Sequence, residues 1–313
     1  MKTNINAKRT FLFPGTGSQY VGMGKDLYEN SPRAKSLYDQ ANEILGFNLS
    51  GICFNGEQES LDKTAVCHPA IMVTSLAIIE GLKEQSNNDI TCSSVAGLSL
   101  GEYTALVFAG AIEFSDAIKL VHNVGKHIDG TCNVNPGGML TVIGLDDSTM
   151  ENICSDARWA GEATPANYNY PGHIVISGER TALEVVRSIA KERGARAVFR
   201  LHANGAFHSH LMTPARAKLE SELKKIKISE AKISIISNID GRYIYKPEDI
   251  SASLIKQLTH PVLWSHSIQN LIRDGVEEFN GIGPSRVMGG IVRRIDNNKT
   301  IRNFDSFNSF SYN

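Results

Sequence analysis

The strongest constraint on the fold is one serine flanked by two glycines, placed between an apolar run and a helical pattern. Residues 94–98 have the composition of a short buried strand, and the spacing after them predicts a helix over residues 100–109. Between the two lies Gly97-x-Ser99-x-Gly101. A strand, a sharp turn and a helix in this order are typical of a nucleophile elbow, whose strained backbone lifts the serine hydroxyl out of the sheet edge. The pattern therefore predicts an α/β fold with Ser99 as a nucleophile.

Strand and helix patterns alternate along much of the chain. The predicted strands lie at residues 10–13, 94–98, 232–237 and 277–282, and the predicted helices at 32–45, 69–83, 100–109, 115–128 and 214–227. Alternation of this kind predicts the α/β class, with a parallel sheet in a large domain.

The segment after residue 133 has a different order. Patterns over residues 139–201 predict strand, helix, strand, strand, helix and strand, which is the βαββαβ order of a ferredoxin-like unit. We therefore predict a small ferredoxin-like subdomain at 133–203, inserted into a large domain made of 1–132 and 204–313. The alternative is that these elements extend the main sheet. Residues 305–313 are predicted to be a loosely held tail.

Composition and charge exclude several classes of function. Lys plus Arg number 32 and Asp plus Glu number 33, so the net charge of −1 gives no reason to expect nucleic acid or an anionic membrane as the main partner. The five cysteines form no C-x-x-C pair, which favours reduced thiols. Residues 1–10 are polar, and no run of 18 apolar residues occurs. These observations predict a cytoplasmic protein without a membrane span, and no metal or organic cofactor is implied.

Two further stretches are candidates for the same site. Residues 14–19 form a glycine-rich turn after the first strand, but neither a Gly-Lys-Ser/Thr sequence nor G-x-G-x-x-G spacing follows. We therefore favour a loop that brings backbone N–H groups and the Gln19 amide beside the nucleophile over a phosphate-binding loop. Among nine histidines, His208 follows a predicted strand end and a glycine, where active-site loops usually lie. His210 is its local competitor as a general base.

Together these stretches resemble the malonyl-CoA:acyl-carrier-protein transacylase family, which includes the acyltransferase domains of fatty-acid and polyketide synthases. The matching pieces occur in family order from residue 10 to about residue 295, namely 13–19, 97–103, 166–172, 205–209 and 283–284. The resemblance implies a large α/β-hydrolase-like domain with a parallel sheet and an inserted ferredoxin-like subdomain.

The resemblance also implies a mechanism and partners. Ser99 would attack a thioester carbonyl with His208 as general base, and Gln19 and the backbone N–H of Leu100 would form the oxyanion hole. A backbone carbonyl at Leu263, in the segment that matches a family Pro-Val-Gln-Trp sequence, would position His208. The partner would be an acyl carrier protein, an acyl-CoA or both, with phosphopantetheine as the handle of the substrate, and the chain is expected to be a monomer.

One departure from the family concerns the acyl group. Malonyl-specific members carry an arginine that pairs with the malonyl carboxylate, and here Val124 occupies that position. Because valine cannot pair a carboxylate, the sequence favours an uncharged acyl group. His122 and Lys126 are displaced by two residues, which points them to another helix face. Candidate substrate-binding residues are Val124, Leu98 (where many members have His), Asn167, Phe207 and Leu263.

Four functions remain open at this stage. The first is hydrolysis or transfer of non-malonyl acyl groups on an acyl carrier protein in polyketide or fatty-acid biosynthesis, because hydrolytic relatives in polyketide pathways lack the arginine. The second is a malonyl-CoA:acyl-carrier-protein transacylase with an altered clamp. The third is a non-catalytic carrier-protein docking module, and the fourth is a general lipase or esterase. No motif encodes whether water or a carrier thiol accepts the acyl group.

Overall fold

The structure is a computed structural model, and it describes residues 8–88, 90–203 and 205–312, with the backbone alone at 311 and 312. Residues 1–7, Asp89, Asn204 and Asn313, which the predicted domain ranges include, lie outside the described residues. In chain order the strands are β1 (Lys8–Phe13), β2 (Ser94–Gly97), β3 (Gly138–Ile143), β4 (Ala163–Tyr170), β5 (His173–Gly178), β6 (Ala197–Arg200), β7 (Ser234–Ile236), β8 (Tyr243–Ile244), β9 (Val276–Ile282) and β10 (Thr300–Phe304).

The helices alternate with these strands. They are α1 (Lys25–Asn30), α2 (Pro32–Leu45), α3 (Leu49–Asn55), α4 (Gln58–Leu61), α5 (Thr64–Gln85), α6 (Gly101–Phe108), α7 (Phe114–Val134), α8 (Asp147–Asp156), α9 (Arg180–Glu192), α10 (Thr213–Leu223), α11 (Pro247–Gln257), α12 (Trp264–Arg273) and α13 (Val287–Ile295). Local chemistry sets some of these bounds. Helix α2, for example, begins where the Ser31 side chain accepts a hydrogen bond from the Ala34 amide, and it ends at Gly46 with a left-handed φ of 74°.

The main sheet has the strand order β10-β9-β1-β2-β7-β8, and all its pairs are parallel except β7 with β8. Side chains that alternate along β1 enter two different cores. Phe11 and Phe13 pack with residues of α2, α5 and α7, whereas Leu12 packs with residues of α12 and α13. The sheet is therefore covered by helices on both faces, as expected for parallel strands.

Helix α5 is apolar on nearly all sides and lies in the core of the large unit. By length and composition it is the one helix in the described part of the chain that could cross a membrane, but 78% of its most apolar window is buried inside the protein. Its packing against α7 accounts for that composition, since a helix that is apolar all round is typical of a core.

The second sheet is antiparallel, with the strand order β4-β5-β3-β6. Its elements follow one another as β3-α8-β4-β5-α9-β6, which is the order predicted from the sequence, and a core of their own includes Leu140, Ile153, Ile174 and Val186. The alternative that these elements extend the main sheet is therefore wrong. The domain limits at 132/133 and 203/204 and the α/β-hydrolase-like description stay predictions.

Several predicted bounds differ from the structure, and two of the differences have a clear physical reason. Helix α7 continues to Val134, six residues beyond the predicted end at residue 128, because Ile128 and Cys132 remain on its buried side. The segment predicted to be a loose tail is packed: 3₁₀ turns occupy Phe307–Tyr312, and the buried Phe310 ring lies beside those of Phe304 and Phe307. Aromatic burial holds this segment in place.

The register of the main sheet positions the two glycine-rich turns. Phe13 at the end of β1 pairs with Gly97 at the end of β2. Because parallel strands end at the same edge of a sheet, the turn after β1 and the elbow after β2 lie side by side at that edge, where sites of α/β proteins usually form. A Cβ added to Gly15 would lie 2.5 Å from the Leu98 carbonyl oxygen, so the two turns are in direct contact.

Candidate active site

Ser99 lies in the elbow with a left-handed backbone, at φ 53°. Such a conformation is rare for a residue other than glycine and is typical of functional turns. The flanking glycines are required by close approach, because a Cβ on Gly97 would overlap the Gly101 backbone and one on Gly101 would overlap the Phe13 carbonyl. Asn238 holds the turn from outside: its Oδ1 accepts from the Ser99 amide at 2.7 Å, and its Nδ2 donates to the Gly97 carbonyl at 2.6 Å.

The predicted nucleophile and the predicted base are in hydrogen-bond contact. Ser99 Oγ lies 2.9 Å from His208 Nε2, and His208 Nδ1 lies 2.6 Å from the backbone oxygen of Gln257. A carbonyl oxygen can only accept, so in neutral imidazole Nδ1 carries the proton and Nε2 is free to accept from the serine hydroxyl. Burial lowers the pKa of His208, and the Gln257 bond opposes that shift. The imidazole therefore stays in its base form to lower pH than a free histidine.

The carbonyl that positions His208 is that of Gln257, so the sequence-based assignment to Leu263 is wrong. Leu263 precedes α12, and its carbonyl accepts from the Ser267 amide at 3.0 Å in the first turn of that helix. Gln257 is the last residue of α11, where carbonyls have no partner inside the helix and are available to other donors. Leu263 was also a predicted substrate-binding residue, but it does not line the cavity beside Ser99.

Candidate oxyanion donors converge on the same place. The Leu100 amide, directly before α6, has no acceptor among the described residues. Gln19 lines the same cavity as Ser99, but its side chain is engaged: Nε2 donates to Asp62 Oδ1 at 2.8 Å, and Oε1 accepts from the Gly17 amide at 2.8 Å. The Leu100 amide is free of any such bond, whereas Gln19 Nε2 already uses one of its two N–H donors on Asp62.

A cavity of about 440 Å³ opens beside Ser99 between the two sheets. Four predicted substrate-binding residues line it, namely Leu98, Val124, Asn167 and Phe207. Val124 is 3% exposed, and no Lys or Arg belongs to the wall within the described ranges. His122 turns away and bonds the Ala65 carbonyl at 2.7 Å, as its position on the helix predicts. The cavity wall therefore offers hydrophobic surface, neutral polar groups and the Asp62 carboxyl group, but no Lys or Arg among the described residues to pair with an acidic acyl group.

Sequence analysis missed several residues of this site. Asn238 and Gln257 lie far along the chain from Ser99, and no local pattern marks them. His68 is buried in the cavity wall on α5, and burial lowers its pKa to about 4, so it is neutral near pH 7. Glu102 is part of the elbow motif, and its carboxyl group is fully buried beneath the site. The one sequence signal for Glu102 was an acidic residue within an otherwise apolar predicted helix.

Comparisons with known proteins agree with this geometry. A profile described as "Acyl transferase domain" matches residues 10–294. The malonyl CoA-acyl carrier protein transacylase of Bacillus subtilis is 41% identical over 291 residues, covering 93% of this chain and 91% of that protein. The Coxiella burnetii malonyl CoA-acyl carrier protein transacylase structure superposes with a TM-score of 0.94 at 33% identity, covering 97% and 96% of the two chains. A malonyl-transacylase solved in complex with its type II polyketide synthase acyl-carrier protein gives a TM-score of 0.93 at 33% identity, with 97% and 98% covered.

Proposed function

Since the chain belongs to the acyl transferase family, we propose that it moves an acyl group from a thioester to the phosphopantetheine thiol of an acyl carrier protein, through an ester on Ser99. One observation carries the proposal, namely the continuous relay from Ser99 Oγ through His208 to the Gln257 carbonyl. A non-catalytic docking module has no need of this strained and hydrogen-bonded pair. The carrier protein as partner is supported by the names of the relatives and by the solved complex of one of them.

The geometry supports a two-step reaction. In the first step Ser99 Oγ attacks the thioester carbonyl carbon while His208 Nε2 takes the hydroxyl proton, and the developing oxyanion lies at the Leu100 amide and the N-terminus of α6. The C–S bond then breaks, and His208 returns the proton to the leaving thiolate. In the second step His208 takes the proton of the carrier thiol and the sulfur attacks the ester carbonyl carbon. The C–O bond to Ser99 then breaks, and His208 returns the proton to Ser99 Oγ.

Malonyl is the first candidate for the acyl group. The relatives compared above are named malonyl transacylases and match this chain over more than nine-tenths of its length. The comparisons therefore favour transfer of malonyl over the hydrolysis of non-malonyl groups that the sequence suggested first. A malonyl carboxylate in this cavity would have to be held by neutral donors such as His68 or by water, because the clamp position is Val124.

An uncharged acyl group is the second candidate, and the cavity wall favours it. Val124 lies where a cation would be needed, and Asp62 on the same wall adds a negative charge. Taking an unpaired carboxylate out of water costs several kcal/mol, whereas an alkyl chain gains about 25 cal/mol per Å² of apolar surface buried. The same relay serves both substrates, so the cavity, and not the catalytic pair, determines which acyl group is accepted.

Intact-protein mass spectrometry tests both candidates. The protein is mixed with malonyl, acetyl and longer acyl thioesters, with Ser99→Ala as control, and free acid and acylated carrier protein are followed. A malonyl adduct that persists until carrier protein is added supports the malonyl transacylase. Adducts from neutral acyl groups alone support the second candidate, and rapid free-acid release supports a hydrolase.

The substitution Val124→Arg distinguishes between the two candidate acyl groups. Val124→Met is its matched control, because it adds length without charge. An enzyme that evolved for neutral acyl groups gains malonyl acceptance with arginine and none with methionine. An enzyme that already handles malonyl gains little from either. Absence of any Ser99 adduct in the unchanged protein would contradict the proposed function.

A further inference from the structure

The carboxyl group of Glu102 is fully buried and has no role in the two-step reaction described above. Glu102 lies in the first turn of α6, three residues after Ser99, and its side chain contacts α11. No Lys, Arg or His forms an ion pair with it in the described part of the chain. An unpaired acidic group with no exposed surface is costly, so a specific set of hydrogen bonds must hold it.

Three donors surround this carboxyl group, and they come from two other segments. Ser253 Oγ donates to Oε1 at 3.0 Å, and Gln257 Nε2 donates to Oε2 at 2.5 Å. The backbone N–H of Asn238 donates as well. Burial raises the pKa of Glu102 to about 7, and these three hydrogen bonds oppose that shift. The donors join the elbow to α11 and to the loop after β7.

The link through Gln257 reaches the catalytic base. Ser253 and Gln257 are four residues apart on α11, so both face α6, and Glu102 holds the last turn of that helix at two points. Gln257 uses its side chain for Glu102 and also donates from Nε2 to the Ser99 carbonyl at 3.3 Å. Its own carbonyl accepts the Nδ1 proton of His208. One residue therefore connects the buried carboxyl group, the nucleophile backbone and the base.

We propose that Glu102 is a positioning residue: by fixing the Gln257 side chain and the end of α11, it holds the carbonyl that orients His208 for proton transfer with Ser99. The inference rests on Ser99 and His208 as the acyl-transfer pair and is independent of which acyl group they carry. Helix ends fray unless something ties them, and here the carbonyl in question is the last of its helix.

The substitution Glu102→Gln keeps the size of the side chain but replaces one of its two acceptor oxygens with an NH₂ group, so either Ser253 or Gln257 loses its acceptor. Thr104→Val is the matched control, because Thr104 is equally buried on the same helix and its Oγ1 has no partner among the described residues. We expect Glu102→Gln to slow acylation of Ser99 by tenfold or more with little change in KM. Thr104→Val should leave the rate within about twofold of the parent.

A pH profile separates positioning from general destabilisation. The Gln257 bond raises the pKa of His208 against the effect of burial, so loosening that bond lowers it. In Glu102→Gln the acid limb of the acylation rate should therefore move to lower pH while the plateau falls. In Thr104→Val the limb should stay in place. An unmoved limb and an unchanged rate in folded Glu102→Gln would overturn the proposal.

A second variant covers the case in which Glu102→Gln fails to fold. Gln257→Met removes the side-chain link and keeps the carbonyl, so it should shift the acid limb in the same direction, and combining both substitutions should add little. A wild-type profile in Gln257→Met would overturn the proposal. The His208 pKa measured by NMR needs no substrate, so it tests the positioning role even if no acyl group proves to be transferred.

Discussion

Ser99 Oγ lies 2.9 Å from His208 Nε2, and both residues have left-handed backbones, with φ of 53° and 61°. Two non-glycine residues with positive φ therefore face each other across the site. The surrounding structure imposes this strain, through Asn238 at the elbow and through Gln257 at the histidine. The conformations that are unfavourable locally are the ones that bring the hydroxyl to the imidazole.

Strain at the nucleophile predicts different stabilities for two inactive variants. Ser99→Ala and Ser99→Gly both remove the hydroxyl, so neither variant can form the acyl ester and both should lower the rate of acyl transfer by about a thousandfold or more. Glycine adopts positive φ freely, so Ser99→Gly should be more stable than Ser99→Ala by about 1 kcal/mol. Thermal unfolding of the two variants side by side measures the difference. Equal melting temperatures would mean that the elbow is unstrained.

Tight packing at the elbow predicts a sharp contrast among glycines. Gly97→Ala inserts a Cβ into the Gly101 backbone and should destabilise the protein by about 3 kcal/mol or more, with loss of acylation. Gly130→Ala is the matched control, because its Cβ would meet nothing within 4 Å and alanine favours helix α7 by about 0.5–1 kcal/mol. Urea unfolding of both variants tests this. A folded and active Gly97→Ala would contradict the close approach.

Support of the elbow by Asn238 predicts a loss of both stability and activity. Asn238→Ala leaves the Ser99 amide and the Gly97 carbonyl without their partner and should cost about 2 kcal/mol or more. Asn270→Ala is a suitable control, because it also removes two side-chain hydrogen bonds, one to the Gly241 carbonyl and one from the Arg273 guanidinium, away from the site. Acylation should slow only in Asn238→Ala. Equal rates in the two variants would show that Ser99 holds its position without Asn238.

The buried His68 predicts a pH-dependent stability. Its pKa is about 4 in the folded protein and about 6.5 when unfolded, so the unfolded chain binds the extra proton between these values. Stability is therefore complete above pH 6.5 and falls by about 3 kcal/mol as the pH drops to 4. His68→Gln should remove about that much of the decline in the free energy of unfolding, measured by urea titration at several pH values. An unchanged decline would show that His68 charges inside the fold.

The lowered pKa of His208 predicts the pH dependence of the reaction itself. The base form is active, so protonation of His208 should slow acyl-Ser99 formation only as the pH decreases through its lowered pKa, below the usual histidine value of about 6.5. Rapid-mixing measurements of acylation from pH 4 to 8 test this. An acid limb centred above pH 6.5 that persists in Glu102→Gln would contradict the burial of the imidazole.

The sequence determined the features that depend on a few neighbouring residues. A glycine-flanked serine between an apolar strand and a helix predicted the elbow, and the βαββαβ order predicted the elements of the second sheet. The predicted family is confirmed by the comparisons. Position in one helix was enough to predict that Val124, and not His122, faces the cavity. Local backbone geometry and helical periodicity are properties of short segments, so they can be predicted from the amino-acid sequence alone.

Tertiary structure decided which distant groups complete the site. Ser99 and His208 are 109 residues apart, and the acceptor for His208 lies a further 49 residues away on α11. Sequence analysis placed that acceptor at Leu263, six residues beyond its actual position, because every residue has a backbone carbonyl and the sequence does not mark which one is available. Which carbonyl is free depends on where a helix ends and what packs against it. The positions of Asn238, Gln257 and Glu102 are set by contacts between segments, and no local pattern encodes them.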